Sequence, residues 1–386
     1  MAAPDPAPLR TPLYDEHVSL GGRMVDFAGY ALPVQYGGIL EEHRAVRAAA
    51  GLFDVSHMAE IAVSGPDALD FLQRLLPADV SRVDGRRVVY TPMCREDGGT
   101  VDDLLVYRLG PDAWLLVVNA ANRAKDVAWV KERADAFVGR PSPARLQVED
   151  VSDRYAQLAL QGPAAVALAA RLPGLSGAPL LGRYTQGSFT LAPGAAGPRA
   201  VDLLVSRTGY TGEDGLELYL APESAPALWR TLLALGAVPA GLGARDSLRF
   251  EAALPLYGHE LADDVTPVEA GLVRFLEFRK PDFSGRAVLL RQFTQGASRR
   301  LVGLSPEGRA IPRAGCAVHS GTRPVGHVTS GMFSPTLGKG LGMALVENLV
   351  GGAEPAPIPD CAIRIHDRPE PAALVPLPFY RRPKQG

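Results

Sequence analysis

With 386 residues and 47% hydrophobic side chains, the chain can fill two or three domains with substantial cores. A formal net charge of −2 excludes a general attraction to nucleic acid or to a membrane surface. Cys94, Cys316 and Cys361 lie far apart, without metal-ligand spacing, and fit packing residues in a reducing compartment. No stretch is long and apolar enough to span a bilayer. The N-terminus lacks the basic region and apolar core of a signal peptide, so a cytoplasmic location is expected.

The first eight residues are rich in Pro and Ala and are expected to be disordered. Apolar spacing over 39–50 predicts a helix that turns Glu41, Glu42, His43 and Arg44 outward. Residues 60–65 read as a strand. Residues 66–76 read as a helix with Pro66 in its first turn and a stripe formed by Leu69, Phe71, Leu72, Leu75 and Leu76. Residues 88–94 and 101–107, joined by the turn 95–100, read as a hairpin. Alternation places Asp103 with Leu105 and Tyr107 on one face, and Asp102 with Leu104 and Val106 on the other. One of these adjacent carboxylates must face inward if either face packs on a core; otherwise both simply decorate a hairpin start. Residues 114–120 form a third strand, with Asn122 as the expected N-cap of the next helix.

A second strand–helix unit spans 154–172, followed by strands at 200–205 and 215–220 and helices near 225–235 and 243–254. The last two strands are joined by Arg207-Thr-Gly-Tyr-Thr-Gly-Glu-Asp-Gly215, whose glycines permit a tight turn and close backbone approach. Beyond it Leu216, Leu218 and Leu220 share one face, and Glu217 and Tyr219 the other. A covered mid-strand carboxylate needs a partner, because burying an unpaired charge is expensive. A flat heterocycle with two adjacent N–H donors would satisfy Glu217 while tyrosines pack on its faces. Read alone, Glu217 is equally an exposed strand residue.

Strands and helices without a regular βαβ rhythm, and without a Gly-rich dinucleotide fingerprint, indicate an α+β fold. Residues 281–298 read as a connector. Short strands at 301–304, 326–330, 342–345 and 362–366, separated by Gly and Pro, suggest a small all-β barrel or sandwich. His319, His327 and His366 are dispersed and lack metal-ligand spacing. His57 reads as a packing or hydrogen-bonding residue, and Asp263-Asp264 as a solvated turn. Arg249, one helical turn past Arg245, could pair with Glu251 or Asp246 on the surface.

Several strings occur together and in order: Gly51-Leu-Phe-Asp-Val-Ser-His-Met58, Gly98-Gly-Thr-Val-Asp-Asp-Leu104, Val118-Asn-Ala-Ala-Asn122, Gly209-Tyr-Thr-Gly-Glu-Asp-Gly215, Gly241-Leu-Gly-Ala-Arg-Asp-Ser-Leu-Arg249 and Pro378-Phe-Tyr-Arg381. Through them nearly the whole chain resembles the folate-binding aminomethyltransferase family, that of the glycine cleavage T-protein. Ala59 departs from the family's usual Gly after His-Met. The resemblance implies a cloverleaf-like arrangement. Residues 1–280 would form the folate-binding region, with one subdomain from 1–55 and 145–280 and another from 56–144. The C-terminal barrel would span 299–386.

The resemblance also implies a chemistry. A one-carbon unit would pass from the aminomethylated lipoyl arm of H-protein to tetrahydrofolate, acting as co-substrate, with release of ammonia and no metal. The carbon would develop positive charge as its bond to sulfur breaks, which favours a nearby carboxylate. Asp103 matches the family's catalytic aspartate. Pterin recognition carries over to Glu217 and Arg245, and folate contacts to Met58, Tyr90, Asn119 and Tyr210. Arg381 matches a position that closes the site from the barrel, and Tyr107 joins these because it shares a face with Asp103. The partners implied are lipoylated H-protein and folate, with no nucleic acid and no membrane. Two rivals share the scaffold: a folate-dependent demethylase of a methylated small molecule, and a non-catalytic folate-binding protein of iron–sulfur assembly.

Overall fold

The computed structural model describes residues 7–138, 145–348, 357–366 and 368–383; most of the Pro/Ala-rich start expected to be disordered lies outside the described residues. One six-stranded sheet runs in the order Gln186–Leu191, Val201–Ser206, Gly215–Leu220, Ala156–Gln161, Gly51–Asp54, Val238–Pro239. A five-stranded sheet runs Val89–Cys94, Thr100–Gly110, Ala113–Val118, Ala59–Ser64, Gln147–Asp150. Leu9–Arg10, Tyr30–Gln35 and Arg23–Phe27 make a third, smaller sheet.

The two large sheets stack face to face, and each is covered on its outer face by helices. On the first, Leu216, Leu218 and Leu220 share a core with Leu168 of helix Ala165–Ala169 and with Leu228, Trp229 and Leu232 of helix Ala225–Ala234. Each of those strand leucines contributes roughly 1.5–3 kcal/mol by leaving water. On the second, Leu104, Val106 and Leu116 pack under Phe71 and Leu72 of helix Ala68–Leu75 and Val130 of helix Arg123–Val138. The inner faces meet where Tyr107, Leu115 and Val117 touch Tyr219, with Leu204 and Leu105 at the margin. The expected alternation therefore holds in both strands, and the face carrying Glu217 is turned toward the face carrying Asp103.

The C-terminal strands close into a barrel: Arg299–Pro306, Lys339–Glu347, Arg323–Ser334, Ala317–Ser320, Cys361–Ile365 and Arg368–Val375, the last pairing back with the first. Closure leaves no strand edge open to another chain. The fold is thus α+β with a C-terminal β-barrel, and of the two expected forms the barrel is realised. It docks on helix Leu242–Glu251, where Phe250 packs with Leu341 and Met343, beside Phe379.

Four local expectations are corrected. Helix Ile39–Ala48 turns Glu41 and Arg44 outward but buries Glu42 and His43. Glu42 accepts backbone N–H groups of Tyr36 at 2.6 Å and Gly241 at 2.8 Å, while His43 contacts Ser247 and Thr336. Asn122 ends a short 3₁₀ turn and donates to Asp102 at 2.9 Å instead of capping the following helix. Strand Gln147–Asp150 pairs with Ala59–Ser64, so the second subdomain's sheet extends past residue 144. The 281–298 connector contains a ten-residue helix, Arg286–Gln295, seated through Leu289 against Cys94 and Phe283.

Candidate active site

Asp102 and Asp103 occupy opposite faces of strand Thr100–Gly110, and because both faces are covered, neither is a solvated hairpin residue. Asp103, partly buried on the inter-sheet face, accepts from the Tyr90 hydroxyl at 2.9 Å and from Asn119 Nδ2 at 3.0 Å. Tyr90 is held edge-on against Phe275, ring centroids 4.6 Å apart. Asp102, fully buried on the helix side, accepts from the Asn119 backbone at 3.0 Å, Asn119 Nδ2 at 2.8 Å and Asn122 Nδ2 at 2.9 Å. Burial, reinforced by the charge of Asp102, lifts the Asp103 carboxyl to about 7 despite the donors from Tyr90 and Asn119. Asp103 therefore exchanges a proton near neutrality.

Glu217 lies across the inter-sheet space. Its carboxylate accepts from the Thr208 hydroxyl and from Gln157 Nε2 at 3.2 Å. Burial raises its pKa, opposed by Thr208, the positive field of Arg245 and Gln157. The glycine-rich turn makes this possible. Gly212 holds a φ of +77°, and a Cβ at Gly215 would come within 2.5 Å of the Leu160 carbonyl on the neighbouring strand. Arg245, on helix Leu242–Glu251, lies over the Tyr210 ring, 4.5 Å from its centroid. The Tyr210 hydroxyl is tied to the Pro255 carbonyl, so the ring is a fixed platform for the cation. Burial lowers the Arg245 pKa, and among the described residues its guanidinium makes no hydrogen bond or ion pair.

The other expected residues divide. Met58 is partly buried where two apolar clusters meet, one of them containing Tyr107 and Tyr219. Tyr107 is fully buried, its hydroxyl 2.9 Å from Tyr219 and 3.1 Å from Ser206, so it braces the sheets. Arg381 is exposed and makes no ion pair among the described residues; its neighbour Arg382 instead pairs with Glu213 and bonds the Arg47 carbonyl. His57 is buried and held near pKa 4 by burial and by Arg245, with its ring edge-on to Phe27. That is the expected packing role. Arg249 is not on the surface: it is buried and pairs with Asp246 at 2.8 Å and Glu260 at 3.0 Å. It also reaches Ser330 of the barrel at 3.0 Å. Asp263 is half-exposed and paired with Arg95 at 2.7 Å.

Gln157, Thr208 and Phe275 were missed in the sequence. Gln157 interrupts an apolar strand and Thr208 adjoins the glycine turn, so both left a local signal; Phe275 left none. A cavity of about 860 Å³ opens beyond the bracing tyrosines, lined by Arg108, Tyr155, Ser188, Asp202 and Tyr219. None of the groups around Asp103 lines it.

Two family profiles match the chain: the GCVT N-terminal domain over residues 13–280 and the glycine cleavage T-protein C-terminal barrel domain over residues 299–381. An aminomethyltransferase of Moorella thermoacetica is 49% identical over 97% of this chain and 99% of its own length. One of Bacillus subtilis is 46% identical, again over 97% and 99%. The crystal structure of glycine cleavage system aminomethyltransferase T from Bartonella henselae superposes with a TM-score of 0.84 at 34% identity. It covers 97% of this chain and 98% of that one. Matched in both domains and over almost its full length, the chain belongs to the glycine cleavage T-protein family of aminomethyltransferases.

Proposed function

We propose that this enzyme transfers the one-carbon unit of aminomethyl-dihydrolipoyl H-protein to tetrahydrofolate, with Asp103 as the catalytic carboxylate. The observation that carries the reading is that Asp103 and Glu217 sit on the facing sides of the two sheets, with Arg245 on the adjoining helix near enough to Glu217 for its charge to be felt there. Glu217 keeps acceptor capacity beyond Thr208 and Gln157, and Gln157 Oε1 is buried with no partner among the described residues. Such groups suit a ring edge rich in N–H donors, and Arg245 suits its carbonyl oxygen. Residues fit the folate on that count.

Tetrahydrofolate supplies two nucleophilic nitrogens; the carbon gains a bond to each and loses its bonds to sulfur and to the amino nitrogen. The two protons given up by the folate nitrogens are balanced by those taken up as the sulfur leaves as thiol and the amine as ammonia. Asp103 stabilises positive charge that develops on the carbon and takes up a proton as nitrogen loses one. Tyr90 and Asn119 hold its two oxygens, so little reorganisation is needed at the moment of transfer. Location in the cytoplasm belongs to the same reading.

The test is single-turnover transfer from aminomethylated H-protein. Asp103→Asn should bind tetrahydrofolate yet lose roughly 10²-fold or more in rate, as expected when a charge-stabilising group is removed. A wild-type rate removes Asp103 from the chemistry. Demethylation of a methylated small amine without consumption of aminomethylated H-protein replaces the reading altogether.

A further inference from the structure

Helix Arg123–Val138 brings a third carboxyl to the site. Asp126 is fully buried, and neither of its oxygens has a hydrogen-bond donor among the described residues. It is carried to the side of Asp102: Asn122, one helical turn before it, reaches Asp102 at 2.9 Å, and the adjacent Lys125 reaches the Val101 carbonyl at 2.6 Å. A hydrogen bond between the two carboxyls would require a proton on one of them. Three N–H groups converge on Asp102, the pattern of an accepting carboxylate. Among the described residues its Oδ2 takes only the Asn119 backbone N–H, leaving a lone pair for another donor. The proton therefore belongs on Asp126.

The surrounding charges agree. Asp102 and Asp103 repel an ionised Asp126 from the strand below. Lys125 is next in the chain, but its Nζ is turned to the Val101 carbonyl and the Tyr257 hydroxyl, both at 2.6 Å. Asp263, 3.8 Å from that Nζ, and Arg95, paired with Asp263, form an outer layer. The start of a helix favours a negative charge, but that effect is small beside the cost of a second buried carboxylate against Asp102. Burial and Asp102 accordingly push Asp126 up to about 11.

We propose that Asp126 is a positioning residue which, as the neutral acid, donates to Asp102 and so locks Asn119 between Asp102 and Asp103. Asn119 Nδ2 lies 2.8 Å from one carboxylate and 3.0 Å from the other. If Asp102 is tethered from the helix side, that amide cannot turn away from Asp103. The proposal rests on Asp103 acting in the reaction, so the tests include one that does not depend on turnover.

Infrared difference spectra of the whole enzyme, wild type minus Asp126→Asn, at about pH 9, should show the carbonyl stretch of a carboxylic acid. Only carboxylate bands would overturn the proposal whatever the reaction proves to be. In kinetics, Asp126→Ala should lower kcat about 10-fold or more, the usual scale for a lost positioning group, with the tetrahydrofolate KM nearly unchanged. Asp126→Asn, a neutral donor, should recover most of that loss and keep the midpoint of the pH–rate profile. A downward shift of that midpoint in Asp126→Asn would mean that a charge had been removed, and would overturn the proposal. Should Asp126→Ala fail to fold, the spectrum and the Asn profile still decide.

Discussion

Glu217 and Arg245 feel each other's charge but do not touch. The arginine draws the carboxyl's pKa down and the carboxylate raises that of the guanidinium, yet no hydrogen bond or ion pair joins them. The guanidinium is spent on the Tyr210 ring and the carboxylate on Thr208 and Gln157. A buried carboxylate and a partly buried guanidinium left unjoined would suit a ligand that bridges them.

Glu217→Gln should therefore weaken tetrahydrofolate binding. The amide keeps the shape but loses the charged acceptor pair, a loss of about 1.5–3 kcal/mol, or roughly 10- to 100-fold in affinity. Calorimetric titration reads it directly, and an unchanged Kd makes Glu217 a plain strand residue.

Asp103, proposed above as the catalytic carboxylate, should cost stability at neutral pH. Its pKa in the fold, about 7, exceeds the value of about 3.9 expected unfolded. Below about pH 4 both states hold the proton and there is no penalty; from there to about 7 the unfolded chain ionises first, so stability falls as pH rises. Asp103→Asn should thus be more stable than wild type at about pH 8, by about 1–3 kcal/mol, and no more stable at about pH 4. Urea denaturation at the two pH values tests the sign.

Glu251 should behave in the opposite sense. Burial alone would raise its pKa, but donors from His43, Ser334, Arg47 and Thr336 outweigh this and hold it at about 2. Its stabilisation is present above the unfolded value of about 4.3 and is lost as pH falls toward 2. The carboxylate joins Arg47, at 2.8 Å, to Thr336 of the barrel, at 2.7 Å. Glu251→Ala should cost about 3 kcal/mol at neutral pH, as expected for a broken buried pair, and the gap from wild type should narrow in acid.

Docking of the carbon donor should depend on ionic strength. If exposed arginines meet an acidic carrier protein, added salt should raise the KM for aminomethylated H-protein several-fold while leaving tetrahydrofolate affinity nearly unchanged, because exposed charges are screened and buried ones are not. Steady-state rates at two salt concentrations, varying each substrate in turn, separate the two. Equal sensitivity of both substrates would argue against charge-guided docking.

Local periodicity determined a good deal by itself. Alternation in 215–220 separated the three leucines from Glu217 and Tyr219, and alternation in 101–107 separated Asp102 from Asp103. Both follow from the two-residue repeat of an extended chain, which needs no knowledge of neighbours. The short Gly- and Pro-bounded strands announced the β-domain for the same reason.

What faces those residues was decided only in three dimensions. Helix Ile39–Ala48 has a polar run that reads as solvated, yet Glu42 and His43 are buried because Gly241, Ser247 and Thr336 arrive from distant parts of the chain to bond them. Arg249 looked like a surface residue until Glu260 and Ser330 closed over it. Gln157 meets Glu217 across 60 residues of sequence, and Asn122 meets Asp102 through the packing of a helix on a sheet. A buried polar group is tolerated only with its partners in place. Those partners are set by how whole elements dock, a free energy summed over the long-range core and carried by no single stretch of sequence.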